Sequence, residues 1–123
     1  MNNGKVEVYG VHKEIPWMTV RHPFLGSVNG YVMLPPGHPW LDEAISDKEV
    51  DIHGGLTYHE DGWIGFDTSH AGDYWEGSSW SVPLGLAERT TWTLELVVRE
   101  TKRLADQVAT RYNKDMKSKR QDA

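Results

Sequence analysis

Hydrophobic residues recur near the end of the chain at the spacing of one helix face. They are Leu94, Val97, Val98, Thr101, Leu104, Ala105, Val108 and Tyr112. This i, i+3, i+4, i+7 pattern predicts a helix from about Trp92 to Tyr112, with its apolar stripe laid on a sheet. Thr90 or Thr91 can cap the start of the helix, and Glu95 would lie in the first turn, where the helix dipole favours an acid.

The preceding part of the chain alternates hydrophobic and polar residues in short runs. The runs that predict strands are 5–12, 18–21, 28–34, 50–53, 56–59 and 63–67. Three prolines make 35–39 a turn, and 40–45 resembles one helical turn. The Glu-Asp-Gly sequence at 60–62 predicts an acidic hairpin-type turn, and 72–85 is predicted to be a long loop. We therefore predict the α+β class: a small, mostly antiparallel sheet packed by one long C-terminal helix. The single domain covers 1–112, and 113–123 forms a basic C-terminal tail.

Composition narrows the kinds of site that this domain can hold. The chain has 123 residues, enough for one hydrophobic core but not for two. It contains no apolar run of membrane-spanning length, and its first residues lack the apolar core of a signal peptide. We therefore expect a cytoplasmic protein without membrane contact. Because cysteine is absent, a tightly bound metal would need His, Asp or Glu ligands.

Charge is unevenly distributed along the chain. Residues 42–76 contain ten acids and one base, whereas residues 111–123 contain five bases and two acids. The acidic segment would repel a phosphate group unless a cation lay between them. The basic end is either a solvated, fraying terminus or a weak contact for an acidic partner.

The segment 53–73 combines histidines, carboxylates and glycines and is the predicted functional site. His53 precedes two glycines that allow close approach of a ligand, while Asp67, His70 and Asp73 follow one another at three-residue steps. Two imidazoles with carboxylates suit zinc, manganese or iron, and a carboxylate outside the metal shell could activate a water molecule. Equally, Asp67 could form a local turn and His53 a structural hydrogen bond.

Aromatic residues near this segment are candidates for binding a ligand. Tyr58, Trp63, Tyr74 and Trp75 could stack on a nucleobase, or they could fill the core of a domain with little phenylalanine. His38 lies on the proline-rich turn and is a further candidate for the rim of the pocket.

Four motifs resemble a family of small proteins from bacteriophages and bacteria, mostly described only as hypothetical proteins. The motifs are GYV at 30–32, LPPGHPW at 34–40, DIHGGLTY at 51–58 and GFDxxHxGD at 65–73. The resemblance covers about residues 28–108 and implies that the family's pattern includes His38, His53, Asp67, His70 and Asp73. It also implies a viral or mobile-element origin, in which small proteins counter host defences by binding or cleaving nucleotide signals. The location would then be the cytoplasm of the host cell.

Three functions are consistent with these residues. The first is a metal-assisted hydrolase of a phosphodiester or small nucleotide, in which His53, Asp67 and His70 hold zinc or manganese. Asp73, with His38 as a second candidate, would then have a catalytic role. The second is a non-catalytic protein that sequesters a small nucleotide-like ligand or inhibits a host protein. The third is a purely structural hydrogen-bonded network. A homodimer is compatible with all three, since one helix covers only one face of a sheet.

Overall fold

The computed structural model describes residues 4–46, 49–69, 73–75 and 90–121. Its seven strands are β1 (Lys5–His12), β2 (Ile15–Arg21), β3 (Val28–Met33), β4 (Tyr58–Glu60), β5 (Trp63–Phe66), β6 (Asp73–Trp75) and β7 (Thr90–Trp92). A short 3-10 helix covers Pro39–Leu41, and the long helix α1 covers Leu94–Gln121. None of the described helices is both long enough and apolar enough to cross a membrane.

Five of the strands form one antiparallel sheet in the order β1-β2-β3-β5-β4. The strands β6 and β7 pair in parallel as a separate two-stranded sheet. Helix α1 packs against β2 and β3, near the middle of the larger sheet. The predicted α+β fold, with a mostly antiparallel sheet and one long C-terminal helix, is therefore confirmed.

The hairpin between β4 and β5 follows directly from its sequence. Asp61 and Gly62 occupy the two loop positions with φ of 54° and 82°. Positive φ at both positions is the geometry of a type I′ turn, which asparagine, aspartate and glycine tolerate best. The predicted acidic turn is thus confirmed, and it sets the pairing of Glu60 with Trp63.

The core lies between the sheet and α1, and one glycine sets how closely they approach. Val28, Val32 and Ile64 from the sheet meet Val97 and Leu104 from α1 in one buried cluster. At Gly30, an added Cβ would overlap the Thr101 hydroxyl and the Phe66 ring. A side chain there would push α1 away from the sheet, so the absence of one allows close packing.

The segment 50–53 is not a strand, and that prediction was wrong. Val50 and Ile52 are buried as a strand pattern requires, but none of the strands in the described part of the chain pairs with them. Side chains of α1 bind the backbone instead: Asp51 N–H donates to Gln107 Oε1 over 2.8 Å, and the Gln107 amide returns a hydrogen bond to the Asp51 carbonyl over 2.8 Å. An extended segment can therefore satisfy its polar backbone without a sheet.

The helix starts later and ends later than its apolar spacing predicts. Thr93 Oγ1 accepts a hydrogen bond from the Leu96 amide, so Thr93 caps the helix, whereas Thr90 and Thr91 belong to β7. Helix α1 also continues past Tyr112 to Gln121. Residues 113–121 of the predicted tail are therefore helical.

Two smaller elements also differ from the prediction. The helical turn expected over 40–45 is the 3-10 helix Pro39–Leu41, which begins at a proline and is shorter. Within the loop expected over 72–85, the residues Asp73–Trp75 form β6, which pairs with β7 from further along the chain. Residues 72 and 76–85 of that predicted loop lie outside the described residues. A three-residue strand of this kind has no periodicity of its own to detect.

Candidate functional site

His53 is held where the segment 50–53 crosses α1. Its backbone N–H donates to Glu100 Oε2 over 2.9 Å. The next two residues, Gly54 and Gly55, have φ of 68° and 79°, a conformation that side chains disfavour. The Gly55 amide donates to the Ile52 carbonyl over 3.0 Å, so the glycine pair forms a turn just after His53.

The His53 ring is paired with a buried carboxylate. Its Nε2 lies 2.8 Å from Asp73 Oδ1, and the indole Nε1 of Trp92 donates to the same oxygen over 2.8 Å. The Asp73 side chain is 1% exposed and the His53 side chain is 28% exposed. The parallel pairing of β6 with β7 places Asp73 and Trp92 on neighbouring strands. The carboxylate is thus fixed by the small sheet, while the imidazole remains partly open to solvent.

This contact determines the protonation pattern of the ring. A carboxylate only accepts hydrogen bonds, so Nε2 of His53 carries a proton and donates to Asp73. In the neutral ring the lone pair then lies on Nδ1. The Trp92 ring meets the imidazole edge-on, with 4.8 Å between ring centroids, and limits its rotation. The pair has the form of an oriented base, in which an aspartate fixes the tautomer of a histidine.

His53 also lines a cleft of about 270 Å³ between β7 and the first turns of α1. The other lining residues are Trp92, Leu96, Arg99, Glu100 and Arg103. One wall is apolar, formed by Trp92 and the partly exposed Leu96. Arg99 and Arg103, one helical turn apart on α1, bring two guanidinium groups to the cleft, with the carboxylate of Glu100 beside them. Guanidinium groups at this spacing suit an anion.

The two arginines differ in how firmly they are held. Arg103 donates to both carboxylate oxygens of Glu100 and reaches Asp51 over 3.0 Å, and these acids raise its pKa further above its usual value. Among the described residues, Arg99 makes one ion-pair contact, a long one of 3.5 Å with Glu95, and both of those side chains are largely exposed. Arg99 is therefore the more adjustable cation of the cleft, and Arg103 is the more rigid one.

His38 belongs to a different part of the molecule. Its Nδ1 accepts from the Trp40 amide over 3.0 Å, and its Nε2 donates to the Val108 carbonyl over 3.1 Å. The side chain is fully buried beside Tyr112, and burial lowers its pKa. The structure does not bring His38 together with His53. Instead, the His38 ring fastens the proline-rich turn to α1.

The predicted metal ligands are only partly described. Asp67 Oδ1 accepts a hydrogen bond from the Ser69 amide over 3.2 Å, which is the local turn considered as an alternative for this residue. His70 lies outside the described residues. Within the described part of the chain, no three His, Asp or Glu side chains come together as a metal site would require. The metal site stays a prediction.

The four aromatic residues predicted to bind a ligand lie at two places. Tyr58 and Trp63 belong to β4 and β5 of the large sheet. Tyr74 and Trp75 belong to β6, where Trp75 is buried and its Nε1 donates to Thr68. None of the four lines the cleft beside His53.

Residues of the cleft on α1 were not singled out from the sequence. Arg99 and Arg103 lie outside the apolar stripe that predicts the helix, and Trp92 lies at its predicted start. Their four-residue spacing does place both arginines on one face. They line a cleft because the segment that carries His53 lies beside the same helix face.

Comparisons with known proteins give no further guide to this site. No protein-family model, curated protein or solved structure matches the chain.

Proposed function

We propose that the protein hydrolyses a phosphodiester, of the size of a small nucleotide, in the cleft beside His53. The observation that carries the proposal is the hydrogen bond between His53 and the buried Asp73, with the partly exposed imidazole on the wall of a cleft that holds two arginines. A fixed imidazole supplies proton transfer, and guanidinium groups supply recognition of an anionic substrate.

The proposed reaction depends on the ring nitrogen of His53 that faces away from Asp73 and can accept a proton. Nδ1 of His53 would take a proton from a water molecule, whose oxygen attacks phosphorus as the bond to the leaving oxygen breaks. Asp73 would stabilise the imidazolium that forms, and the proton then passes to the leaving oxygen. Arg99 would neutralise charge on the phosphoryl oxygens as the transition state forms. The apolar side of the cleft, at Trp92 and Leu96, would receive the base or sugar.

A metal-assisted form of this reaction is part of the same proposal. Nε2 of His53 lies against Asp73, so His53 would bind a zinc or manganese ion through Nδ1. The remaining ligands would be Asp67 and His70, as the residue types and spacing of the segment 53–73 predict. The two forms differ in their response to a chelator, which removes activity only when the ion is required.

The proposal is tested by hydrolysis assays on the purified protein. The substrates are a linear dinucleotide, a cyclic mononucleotide and bis(4-nitrophenyl) phosphate, each assayed with EDTA and with added Zn²⁺ or Mn²⁺. We expect cleavage of at least one substrate and a loss of about 100-fold or more in rate for His53→Gln, as for removal of a general base. His59→Gln is the matched control, because His59 is an exposed residue of β4 outside the cleft.

Two outcomes would contradict a hydrolase. One is cleavage by His53→Gln at the wild-type rate. The other is binding of a nucleotide that is recovered intact from the wild-type protein under every metal condition, which would assign the chain to ligand sequestration instead. Thermal unfolding of each variant separates a lost reaction from a lost fold.

A further inference from the structure

One face of the large sheet is turned away from α1. We define this open face by the outward-pointing residues of its five strands: Val6, Tyr9, Val11, Pro16, Met18, Val20, Asn29, Tyr31, Met33, Tyr58, Glu60, Trp63 and Gly65. Strand alternation places them opposite the residues that meet the helix. Val20 and Tyr31 support this assignment, because both are buried yet neither belongs to the core cluster under α1.

Exposure of the open face rises sharply towards β1. Tyr31, in the middle of the sheet, is 6% exposed, because its ring lies over Gly65 and against Tyr58. Tyr9 and Val11 on β1 are 79% and 69% exposed. Together with Val6, which is 45% exposed, they form a contiguous apolar patch on one strand. Contiguous patches mark interaction sites, whereas single exposed apolar residues do not. The uncovered part of the face is therefore at β1.

The open face carries almost no charge. Among its positions in the described strands, Glu60 is the one acid, and it lies at the far edge on β4. The chain as a whole has a net charge of −5, so two copies repel each other through most of their surfaces. An uncharged face is free of this repulsion and is complementary to its own copy across a two-fold axis.

The size of the face also fits a contact between two copies. Five strands at a spacing of about 4.8 Å, each about 20 Å long, give a projected area on the order of 500 Å². Val20 and Tyr31 are already buried within the chain, so the area left for a second copy is below the ~800 Å² per partner of standard interfaces and suits a weak dimer.

We infer that the protein forms a homodimer in which the open faces of two copies pack against each other as a sheet-on-sheet sandwich. Two sheets in such a contact lie about 10 Å apart, which is the space that one layer of side chains from each sheet fills. Tyr9 and Val11 would lie in this layer, and the two α1 helices would lie on the outer surfaces. The inference is independent of the reaction proposed for the His53 cleft.

Sedimentation equilibrium of the full chain, from 5 to 200 µM, tests this contact. We expect the wild-type protein to be a dimer, and Val11→Lys to be a monomer because a charge on the open face would face its own copy. Thr110→Lys is the matched control: it adds the same charge at an exposed position of α1 and should leave the dimer intact.

A milder variant keeps the test decisive if Val11→Lys does not fold. Val11→Thr keeps the branched shape that suits a strand but loses a methyl group to a hydroxyl, so it should weaken the dimer several-fold without unfolding it. A wild-type protein that is monomeric throughout the range overturns the inference. So does a monomer that binds phosphatidylcholine vesicles through Tyr9, since a lipid surface would then be what covers the open face.

Discussion

His38 and His53 both contact helix α1, yet they are held in opposite ways. His38 is fully buried, and both ring nitrogens form hydrogen bonds with the backbone: one accepts from Trp40 and the other donates to Val108. His53 uses its backbone to bind Glu100, and its ring is directed to a carboxylate beside a cleft. The comparison shows that burial and the partners of the ring decide the role of a histidine, not its place in a motif.

The largest effect on stability is expected at His38. In His38→Ala, the buried Trp40 amide loses its acceptor and a cavity opens under the proline-rich turn. We expect the free energy of unfolding to fall by about 2–4 kcal/mol, measured by urea denaturation. The control His59→Ala removes an exposed ring and should change it by less than about 0.5 kcal/mol. Equal effects of the two variants would mean that His38 does not fasten the turn.

The next largest effect is expected at Asp73. Asp73→Ala leaves the Nε2 of His53 and the Nε1 of Trp92 without their shared acceptor. We expect a loss of about 2–3 kcal/mol in the free energy of unfolding, because two donors lose a buried partner. Asp42→Ala, at an exposed position, is the control. A stability loss in Asp73→Ala no larger than in Asp42→Ala would show that the His53 region is not held through this carboxylate.

A smaller effect is expected when Trp92 loses only its donor. Trp92→Phe keeps an aromatic ring beside His53 but removes the hydrogen bond to Asp73, and it should cost about 1 kcal/mol. Trp17→Phe is a matched control, because the buried Nε1 of Trp17 has no hydrogen-bond partner among the described residues. Removing that N–H also removes the free-energy cost of burying a donor without a hydrogen-bond partner. Trp17→Phe should therefore cost less, and the reverse order would contradict the comparison.

The smallest effect concerns pH and His38. Burial lowers the pKa of His38 in the folded protein, so the unfolded chain binds a proton more readily. As the pH falls below the ordinary histidine value of about 6.5, His38 therefore favours unfolding, down to its lowered folded pKa. Urea denaturation at pH 7.5 and 5.5 should show a smaller loss of stability in His38→Gln than in the wild type. An equal loss in both proteins would assign the pH dependence to other groups.

The fold could be predicted from the sequence wherever periodicity carried the signal. The apolar stripe of α1 predicts a helix, and the alternation in β1 and β3 predicts strands. The Asp61-Gly62 pair predicts a hairpin turn. The segment 50–53 misled the prediction because Val50 and Ile52 alternate as in a strand. Its hydrogen-bond partners are side chains about fifty positions away on α1, and no local pattern shows them.

The candidate site could be predicted only in part. The pairing of His53 with Asp73 lies within the segment 53–73 that the motifs indicated. Trp92 and the two arginines join it through tertiary contacts, because the parallel pairing of β6 with β7 and the packing of α1 bring distant segments together. Sequence spacing does not encode such contacts.

The fastening of the segment 50–53 to α1 also has a consequence for the order of folding. Its backbone is bound by Glu100 and Gln107, which are 47 and 56 residues away along the chain. Contacts of such long separation carry a high loop-closure cost and tend to form after local helices and hairpins. His53 should therefore reach its place beside Asp73 among the last events of folding, once α1 is already docked on the sheet.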